Sequence, residues 1–311
     1  MKKLLESIVM SFIALNPMNA FANTKDEASI KTIVESVGSL ADTGNFESLE
    51  ELYANEVEMD YTSLTGGNVE VKSPKAIMTQ WAAVLPGFDK TRHEVSDIEV
   101  SSNGKTATAS ANVTATHWAG DLFWEVKGTY LYKLKKDISW KITAHKFTLK
   151  DEKGTRDVFA AAMNNTKANP SDYIKRQQTQ QAVRDFLDSL EKKDMEKFAS
   201  IWAEDAVQDM PFSPKGFPRR VSGKANLIKH YAAWPKNSEK ADFTSKLVFY
   251  PMKDPEMVFV EFKGDVDIIP TKRKYKQHYG GLFHVEKSKI KLFREYFNPE
   301  PFKYAFGLEE K

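Results

Sequence analysis

The sequence contains no cysteine, no large excess of one charge and no long apolar run beyond its N-terminus. The absence of cysteine excludes disulfides, thiolate zinc sites, iron–sulfur clusters and cysteine nucleophiles. The 311 residues include 45 Lys and Arg against 43 Asp and Glu, a formal net charge of +2. A nucleic-acid-binding domain is usually strongly basic, so we expect no nucleic acid as a partner.

Apolar residues make up 41% of the chain and aromatic residues 12%, which is enough to build a hydrophobic core. A mainly disordered chain is therefore not expected. The length favours two domains, since single domains usually have ~100–200 residues. No later stretch approaches the ~18 apolar residues that cross a membrane, so we expect no membrane contact after removal of a leader.

The N-terminus has the pattern of a secretory signal peptide at Met1–Ala22. Two lysines follow the initiating methionine, Ile8–Leu15 is a short apolar run, and Ala20–Ala22 has the small residues of a cleavage site. The alternative is an ordinary amphipathic helix. The signal-peptide interpretation predicts a periplasmic or secreted protein whose mature chain begins near Asn23.

The rest of the chain repeats itself weakly. The segment Asn45–Val57 resembles Asp194–Ala206, which begins 149 residues later. In both segments apolar residues recur at three- and four-residue steps, the pattern of one helix face. A repeat of this length indicates a domain duplication. We therefore predict one domain at 25–150 and a second at 172–307, separated by a linker with flanking helix at 151–171.

Each copy begins with helical patterns and continues with alternating strands. Asn103-Gly104 between two strands is a strong hairpin signal. Helices followed by a long run of strands indicate an α+β fold. We predict two tandem cone-shaped domains, each a curved antiparallel sheet wrapped around its N-terminal helices, with a pocket at the open end. The two domains could pair as a pseudo-dimer within the chain, or the protein could form a homodimer.

Three polar residues stand out in the first copy, namely Asp60 after the helical part, His93 at a strand start and His117 at the next strand end. Histidine can take or give a proton near neutral pH, and a carboxylate that binds it raises its basicity. We predict that these three catalytic residues face one cavity, with Asp60 within hydrogen-bond reach of a histidine. The alternative is a helix cap and two half-exposed strand residues.

Other residues of the first copy are candidates for contacting a ligand. Tyr61 could donate to a carbonyl or polarise a water molecule. Trp81 and His145 are weaker candidates, because a buried tryptophan is more often a core residue than a ligand platform.

Both copies resemble the SnoaL-like, nuclear-transport-factor-2-like superfamily, which includes ketosteroid isomerase, scytalone dehydratase and the phenazine-biosynthesis A/B proteins. The segments around Asp60, His93 and His117 resemble those that hold an aspartate and two histidines in scytalone dehydratase. There the site performs proton transfer and loss of water on a small aromatic polyol. The resemblance implies a reaction without a cofactor. The three residues could hold a metal, but the superfamily mostly works without one.

The second copy has different polar residues. His230 on a helix, His278 on a long strand and Glu295 in an Arg-Glu-Tyr-Phe-Asn-Pro ending resemble residues of the phenazine A/B proteins. That resemblance implies acid–base roles for His230 and Glu295 and ligand contact by His278. Trp234 stands where that family has a serine, so the pocket must be smaller or differently lined. Strand alternation leaves open whether Glu295 faces the cavity or forms a surface pair with Arg294.

These patterns together predict an exported, cofactor-free lyase or isomerase, of the dehydratase or ketosteroid isomerase type. Its ligand is expected to be a small hydrophobic or aromatic molecule, in the form of a partly apolar carbonyl or hydroxylated compound. The alternatives are a protein that binds a small molecule without turnover and an assembly module built on the same fold.

Overall fold

The computed structural model describes residues 17–308, with side chains from residue 24 onward. Of the predicted signal peptide Met1–Ala22, residues 1–16 lie outside the described residues, and only helical backbone is described for 17–22. Within the described range, no helix is both long and apolar enough to span a membrane. The chain forms two compact units, one up to Ser171 and the other from Asp172.

Helices in the first unit lie mostly before its long strands. They are α1 (Pro17–Thr43), α2 (Phe46–Glu50), α3 (Thr62–Thr65), α4 (Pro74–Ala82) and α5 (Asp157–Ala168), with a 3₁₀ turn at Leu85–Gly87. The strands are β1 (Tyr53–Asp60), β2 (Glu70–Lys72), β3 (Lys90–Ser102), β4 (Thr106–Ala119), β5 (Leu122–Lys136) and β6 (Trp140–Gly154). They form one sheet in the order β2-β1-β6-β5-β4-β3.

The second unit repeats this arrangement. Its helices are α6 (Asp172–Lys192), α7 (Met195–Ser200), α8 (Lys224–Tyr231), α9 (Trp234–Asn237) and α10 (Pro299–Phe306). Its strands are β7 (Trp202–Asp209), β8 (Arg220–Ser222), β9 (Ser238–Asp242), β10 (Val248–Pro251), β11 (Met257–Ile268), β12 (Arg273–Glu286) and β13 (Lys289–Phe297). The sheet order is β10-β11-β12-β13-β7-β8, and β9 pairs with β11.

The two sheets are antiparallel apart from one parallel pair in each, β1 with β6 and β7 with β13. The first helix of each unit covers its sheet with an apolar stripe. In α1 this stripe is Ile30, Val34, Val37 and Ala41, all buried and spaced as one helix face. The α+β class and the two tandem domains with helices ahead of each sheet are confirmed.

The segment 151–171, predicted as a linker with flanking helix, is mostly regular structure that belongs to the first unit. Strand β6 continues to Gly154, and α5 packs on the 3₁₀ turn and on β4 and β5. Gly87 permits this contact, because a Cβ there would lie 1.8 Å from the carbonyl oxygen of Ala162. Asn165 Nδ2 also donates to the Gly87 carbonyl at 2.9 Å. The break between the units therefore follows α5.

Candidate functional site

A cavity of about 250 Å³ lies in the first unit between helices α1, α4 and α5 and strands β3 to β6. Its wall is mostly aliphatic and aromatic, and the polar side chains on it include Tyr61, Gln80, His93, His117 and Tyr130. A mostly apolar cavity with a few convergent polar groups is the usual form of a small-molecule site.

The most organised polar group in this cavity is the pair of Asp42 and His93. His93 Nδ1 lies 2.7 Å from Asp42 Oδ1, and the His93 backbone N–H donates to Oδ2 at 2.8 Å. Thr91 Oγ1 also donates to Oδ1 at 2.7 Å. Burial alone would raise the pKa of Asp42, but the bonds and charge from His93 outweigh it and leave that pKa lowered. The carboxylate therefore stays ionised and holds a proton on His93 Nδ1.

Gly38 allows the strand carrying His93 to approach α1. A Cβ at Gly38 would lie only 2.8 Å from the Cβ of His93, closer than real Cβ contacts. Any larger residue would push β3 away from the helix that carries Asp42. The cavity geometry thus depends on a glycine one turn before that aspartate.

His117 lies beside His93 and lines the same cavity, as predicted. The two rings are perpendicular, with centroids 5.6 Å apart. His117 is 4% exposed, and its Nδ1 has no hydrogen-bond partner within the described residues. Burial is the main cause that lowers the pKa of His117 to about 3. His117 is therefore a neutral ring at physiological pH rather than a ready proton donor.

Tyr61 and Trp81 also line this cavity, as predicted, whereas His145 lies one layer behind it. His145 is fully buried and bridges two phenols, with Tyr53 Oη 3.0 Å from Nδ1 and Tyr61 Oη 3.2 Å from Nε2. Burial lowers the pKa of His145 to about 3, so the ring is neutral. From the sequence, His145 is expected to contact a ligand, whereas the structure leaves it off the wall of this cavity and bonded to Tyr61, which is on that wall.

The structure does not place Asp60 in the cavity, and the prediction that it binds a histidine there is wrong. Its carboxylate accepts from Thr62 Oγ1 at 2.7 Å and pairs with Lys146 Nζ at 2.8 Å. These contacts, led by Lys146, lower the pKa of Asp60 to about 2. Asp209 makes the same kind of pair with Arg294 at 2.9 Å in the second unit. Asp60 therefore belongs to the repeated framework.

A second cavity, of about 310 Å³, lies in the second unit, and Glu295 lines it. Gln208 Nε2 donates to Glu295 Oε2 at 2.9 Å and to Tyr231 Oη at 2.8 Å. Burial raises the pKa of Glu295 to about 7, although the bond from Gln208 opposes the shift. The open choice between cavity and surface is thus settled in favour of the cavity, and Arg294 pairs with Asp209 instead.

Two further predicted residues line this cavity and one does not. His230 and Trp234 are on its wall, and Trp234 Nε1 donates to the Leu190 carbonyl at 2.8 Å. His278 is exposed, whereas Gln277 and Tyr279 on either side are buried. Alternation along β12 puts His278 on the outer face, so it does not line the cavity in which it is expected, from the sequence, to contact a ligand. 

Sequence reasoning missed Asp42 and Gln208. Asp42 lies at the end of α1, whose last turn has no basic residue. A carboxylate is unfavourable at a helix C-terminus, so its position was a signal that it has a partner elsewhere. The one sequence signal for Gln208 is that it is polar, whereas Ala206 and Met210, two residues away and thus on the same strand face, are apolar. Residues 17–308 contain no cluster of three or more side chains able to hold a metal.

Comparison with known proteins places a SnoaL-like domain in each half. Profiles of the SnoaL-like domain match residues 22–146 and 183–293. The uncharacterised protein YesE of Bacillus subtilis (strain 168) is 33% identical over 127 residues, 41% of this chain and 86% of that protein. The PhzA/B-like protein PA3332 of Pseudomonas aeruginosa is 26% identical over 110 residues, 35% of this chain and 77% of that protein.

Among solved structures, the phenazine biosynthesis-related protein phzb2 of Pseudomonas aeruginosa is similar to part of the chain. It shares 20% identity, covers 45% of this chain and 92% of its own, and gives a TM-score of 0.39.

Proposed function

Since the chain belongs to the SnoaL-like family, with one such domain in each half, we propose that its first unit catalyses a proton transfer. The reaction is that of a cofactor-free lyase or isomerase acting on a small, partly apolar carbonyl or hydroxylated compound. The observation that carries this proposal is the 2.7 Å contact of Asp42 with His93 on the wall of an otherwise mostly apolar cavity.

His93 has the arrangement of a general base. Asp42 accepts from Nδ1, which fixes the tautomer and leaves the lone pair on Nε2. A proton beside a carbonyl can move to Nε2, and the ionised Asp42 stabilises the imidazolium that forms. His93 then gives the same proton to a departing hydroxyl, which releases water, or to another carbon, which isomerises the compound. His93 takes one proton and returns it, so the reaction needs no second acid or base.

Tyr61 is the group that can stabilise the carbonyl oxygen during this step. The neutral His145 accepts through one ring nitrogen and donates through the other. When Tyr53 donates to Nδ1, His145 Nε2–H donates to Tyr61 Oη. The Tyr61 hydroxyl can then turn from its hydrogen bond with Tyr130, which also lines the cavity, to donate to a ligand. A hydrogen-bond donor aimed at a developing enolate oxygen stabilises the transition state.

The cavity also limits the size and polarity of the compound. Its volume of about 250 Å³ lies just below the usual range for ligand sites, roughly 300–1,000 Å³, so it suits a compound of one or two rings. Trp81, Trp124 and Phe147 supply flat apolar surfaces on its wall. These features support a cyclic compound with one carbonyl or hydroxyl group.

Export is part of the proposal and rests on the sequence pattern of Met1–Ala22. Expression of the full chain with its natural leader, followed by N-terminal sequencing of the periplasmic protein, tests it. A mature chain that begins near Asn23 supports export, whereas a soluble species that retains Met1 contradicts it.

The activity can be tested without a known substrate. The full chain is incubated in D₂O with a panel of one- and two-ring ketones and β-hydroxy ketones, and NMR follows loss of the α-proton and formation of the α,β-unsaturated ketone that dehydration leaves. We expect His93→Gln to slow the reaction on the order of 1,000-fold, the scale for loss of a general base. His284→Gln, on β12 of the other unit, is the matched control and should react like the wild type.

The panel also separates catalysis from binding. Equal exchange by wild type and His93→Gln would contradict the proposed base. Saturable binding of several ketones to the first cavity, with no exchange in any of them, would instead favour a protein that binds its ligand without turnover.

A further inference from the structure

The second cavity differs from the first in having an acid on an aromatic wall. More than half of the residues that line it are aromatic. They include Tyr231, Trp234, Phe243, Tyr275, Tyr279 and Phe302. Phe262 and Tyr279 are stacked with centroids 4.6 Å apart, and Trp234 and Phe243 lie 5.9 Å apart. A ligand in this cavity would therefore meet the π-systems of several rings.

Glu295 gives this cavity its charge. None of the described residues that line it is a lysine, an arginine or a second acid. His230 is on the wall, but burial lowers its pKa, so the ring is uncharged at neutral pH. The electric field inside is thus set by one carboxyl group and by the negative faces of aromatic rings.

The carboxyl group is held in place with one oxygen available. Gln208 donates to Oε2 and is itself fixed by its contact with Tyr231 Oη at 2.8 Å. Glu295 Oε1 has no hydrogen-bond partner among residues 24–308, and Glu295 lines the cavity. Oε1 is open to the cavity and has no protein donor, so a ligand that donates to it forms a hydrogen bond that the protein alone does not make.

From this geometry we infer that the second cavity binds an organic cation, a protonated amine or nitrogen heterocycle of one or two rings. The cation donates a charge-assisted hydrogen bond to Glu295 Oε1, and the surrounding rings attract its positive charge through cation–π contacts. The site lies wholly within the second unit, so this inference is independent of catalysis in the first.

The pH dependence separates a cation from an uncharged ligand. The groups facing Glu295 are Gln208 on β7, His230 and Tyr231 on α8, and Tyr275 and Tyr279 on β12. Burial raises the pKa of Tyr231, Tyr275 and Tyr279, so the phenols stay protonated. Glu295, with a pKa of about 7, therefore dominates titration near neutrality.

A cation needs the ionised carboxylate, and its binding releases the proton from Glu295. Its affinity should fall by up to about tenfold per pH unit below the Glu295 pKa. A carbonyl ligand would instead accept a hydrogen bond from the protonated carboxyl, so its affinity would rise as the pH falls. As the pH falls, the affinity for a cation therefore decreases, whereas the affinity for a carbonyl compound increases.

Benzylamine and benzyl alcohol are suitable probes, because they have the same shape and differ in charge. Dissociation constants are measured by NMR titration of the full chain at about pH 8 and about pH 6, on either side of the Glu295 pKa. We expect benzylamine to bind at least about tenfold more tightly than benzyl alcohol at the higher pH, given the strength of charge-assisted hydrogen bonds. That preference should shrink at the lower pH.

Two variants locate the effect. Glu295→Gln keeps the shape and should abolish the preference for benzylamine, while leaving benzyl alcohol binding within about twofold because neither ligand then meets a charge. Glu261→Gln removes an exposed carboxylate from β11 of the same sheet and is the matched control for net charge. Unchanged benzylamine affinity in Glu295→Gln, or benzylamine binding that strengthens as the pH falls, would overturn the inference.

Discussion

The two units use the same carboxylate position for different purposes. Asp42 in α1 accepts from the backbone N–H of His93, and Glu191 in α6 accepts from the backbone N–H of Phe243. Both acids thereby join the first helix of a unit to the strand or loop that follows its short helices. Only in the first unit does the joined residue carry an imidazole, which turns a structural contact into an acid–base pair.

At the parallel strand pair, the second unit has the polar side chains and the first unit has apolar ones at the same positions. The paired residues are Met59 with His145 in the first unit and Gln208 with Phe293 in the second. Two residues farther along the second strand of each pair lie Phe147 and Glu295, respectively. The second unit thus has an acid and an amide where the first has apolar side chains. Duplication has kept the frame, and a few substitutions at the cavity walls have given two different chemistries.

The largest effect is expected when Asp42, the acid of the first unit, is replaced. Asp42→Asn should slow α-proton exchange on the order of 1,000-fold, because an amide N–H would donate to His93 Nδ1 and move the ring proton to Nε2. Deuterium exchange into a reactive ketone of the panel measures it. Glu191→Gln is the matched change in the second unit and should leave exchange unaltered. Normal exchange by Asp42→Asn would mean that the two acids have the same, purely structural role.

The cavity residues and the frame differ in how well the sequence predicts them. Helical and strand periodicity predicts the two units, because the spacing of apolar residues along a helix or strand is a local property of the chain. Asp42 was missed because its partner, His93, is 51 residues away and only the packing of α1 on β3 brings them together. The sequence favours Asp60 because a carboxylate can bind a histidine, but in the fold its carboxylate pairs with Lys146 on the neighbouring parallel strand. Residue type predicts what a group can do, and packing decides which group reaches the cavity.

A second prediction concerns the stability of the second unit. The pKa of Glu295 is raised from 4.5 to about 7, so the folded state binds the proton more tightly than the unfolded state. Its contribution to stability is full below the ordinary pKa and is lost as the pH rises through 7. The loss amounts to about 3 kcal/mol, at 1.36 kcal/mol per pKa unit. Glu295→Gln should therefore unfold at higher urea than the wild type above neutrality.

Hydrogen exchange of peptides from β12 and β13 during the urea titration reports on this unit separately. The gain in Glu295→Gln should disappear at about pH 3.5, below the ordinary pKa, where the wild-type carboxyl is protonated in both states. An equal difference between the two proteins at both pH values would contradict the raised pKa. The first unit, whose corresponding residue is Phe147, should show no difference between the wild type and Glu295→Gln at either pH.

His145 should give the first unit the opposite response to acid. Its pKa is lowered from 6.5 to about 3, so the unfolded state binds a proton that the folded state refuses. Stability is full above the ordinary pKa and is lost as the pH falls, by about 2 kcal/mol between pH 6.5 and 5. His145→Gln can keep hydrogen bonds to both phenols without titrating, so it should reduce this loss. Hydrogen exchange of β5 and β6 peptides at the two pH values measures it, and an unchanged acid response would contradict the assignment.

The smallest effect is expected where the two units are most alike. Asp60 pairs with Lys146 and Asp209 pairs with Arg294, and both basic side chains are more than a third exposed. Such pairs contribute little, so Asp60→Asn and Asp209→Asn should each lower the free energy of unfolding by about 1 kcal/mol. The Asp60 contribution is present above its ordinary pKa and is lost as the pH falls towards about 2. Neither substitution should change ketone exchange by more than about twofold, because neither carboxylate lines a cavity. A loss of exchange in Asp60→Asn at unchanged stability would return this aspartate to the catalytic group and break the equivalence of the two pairs.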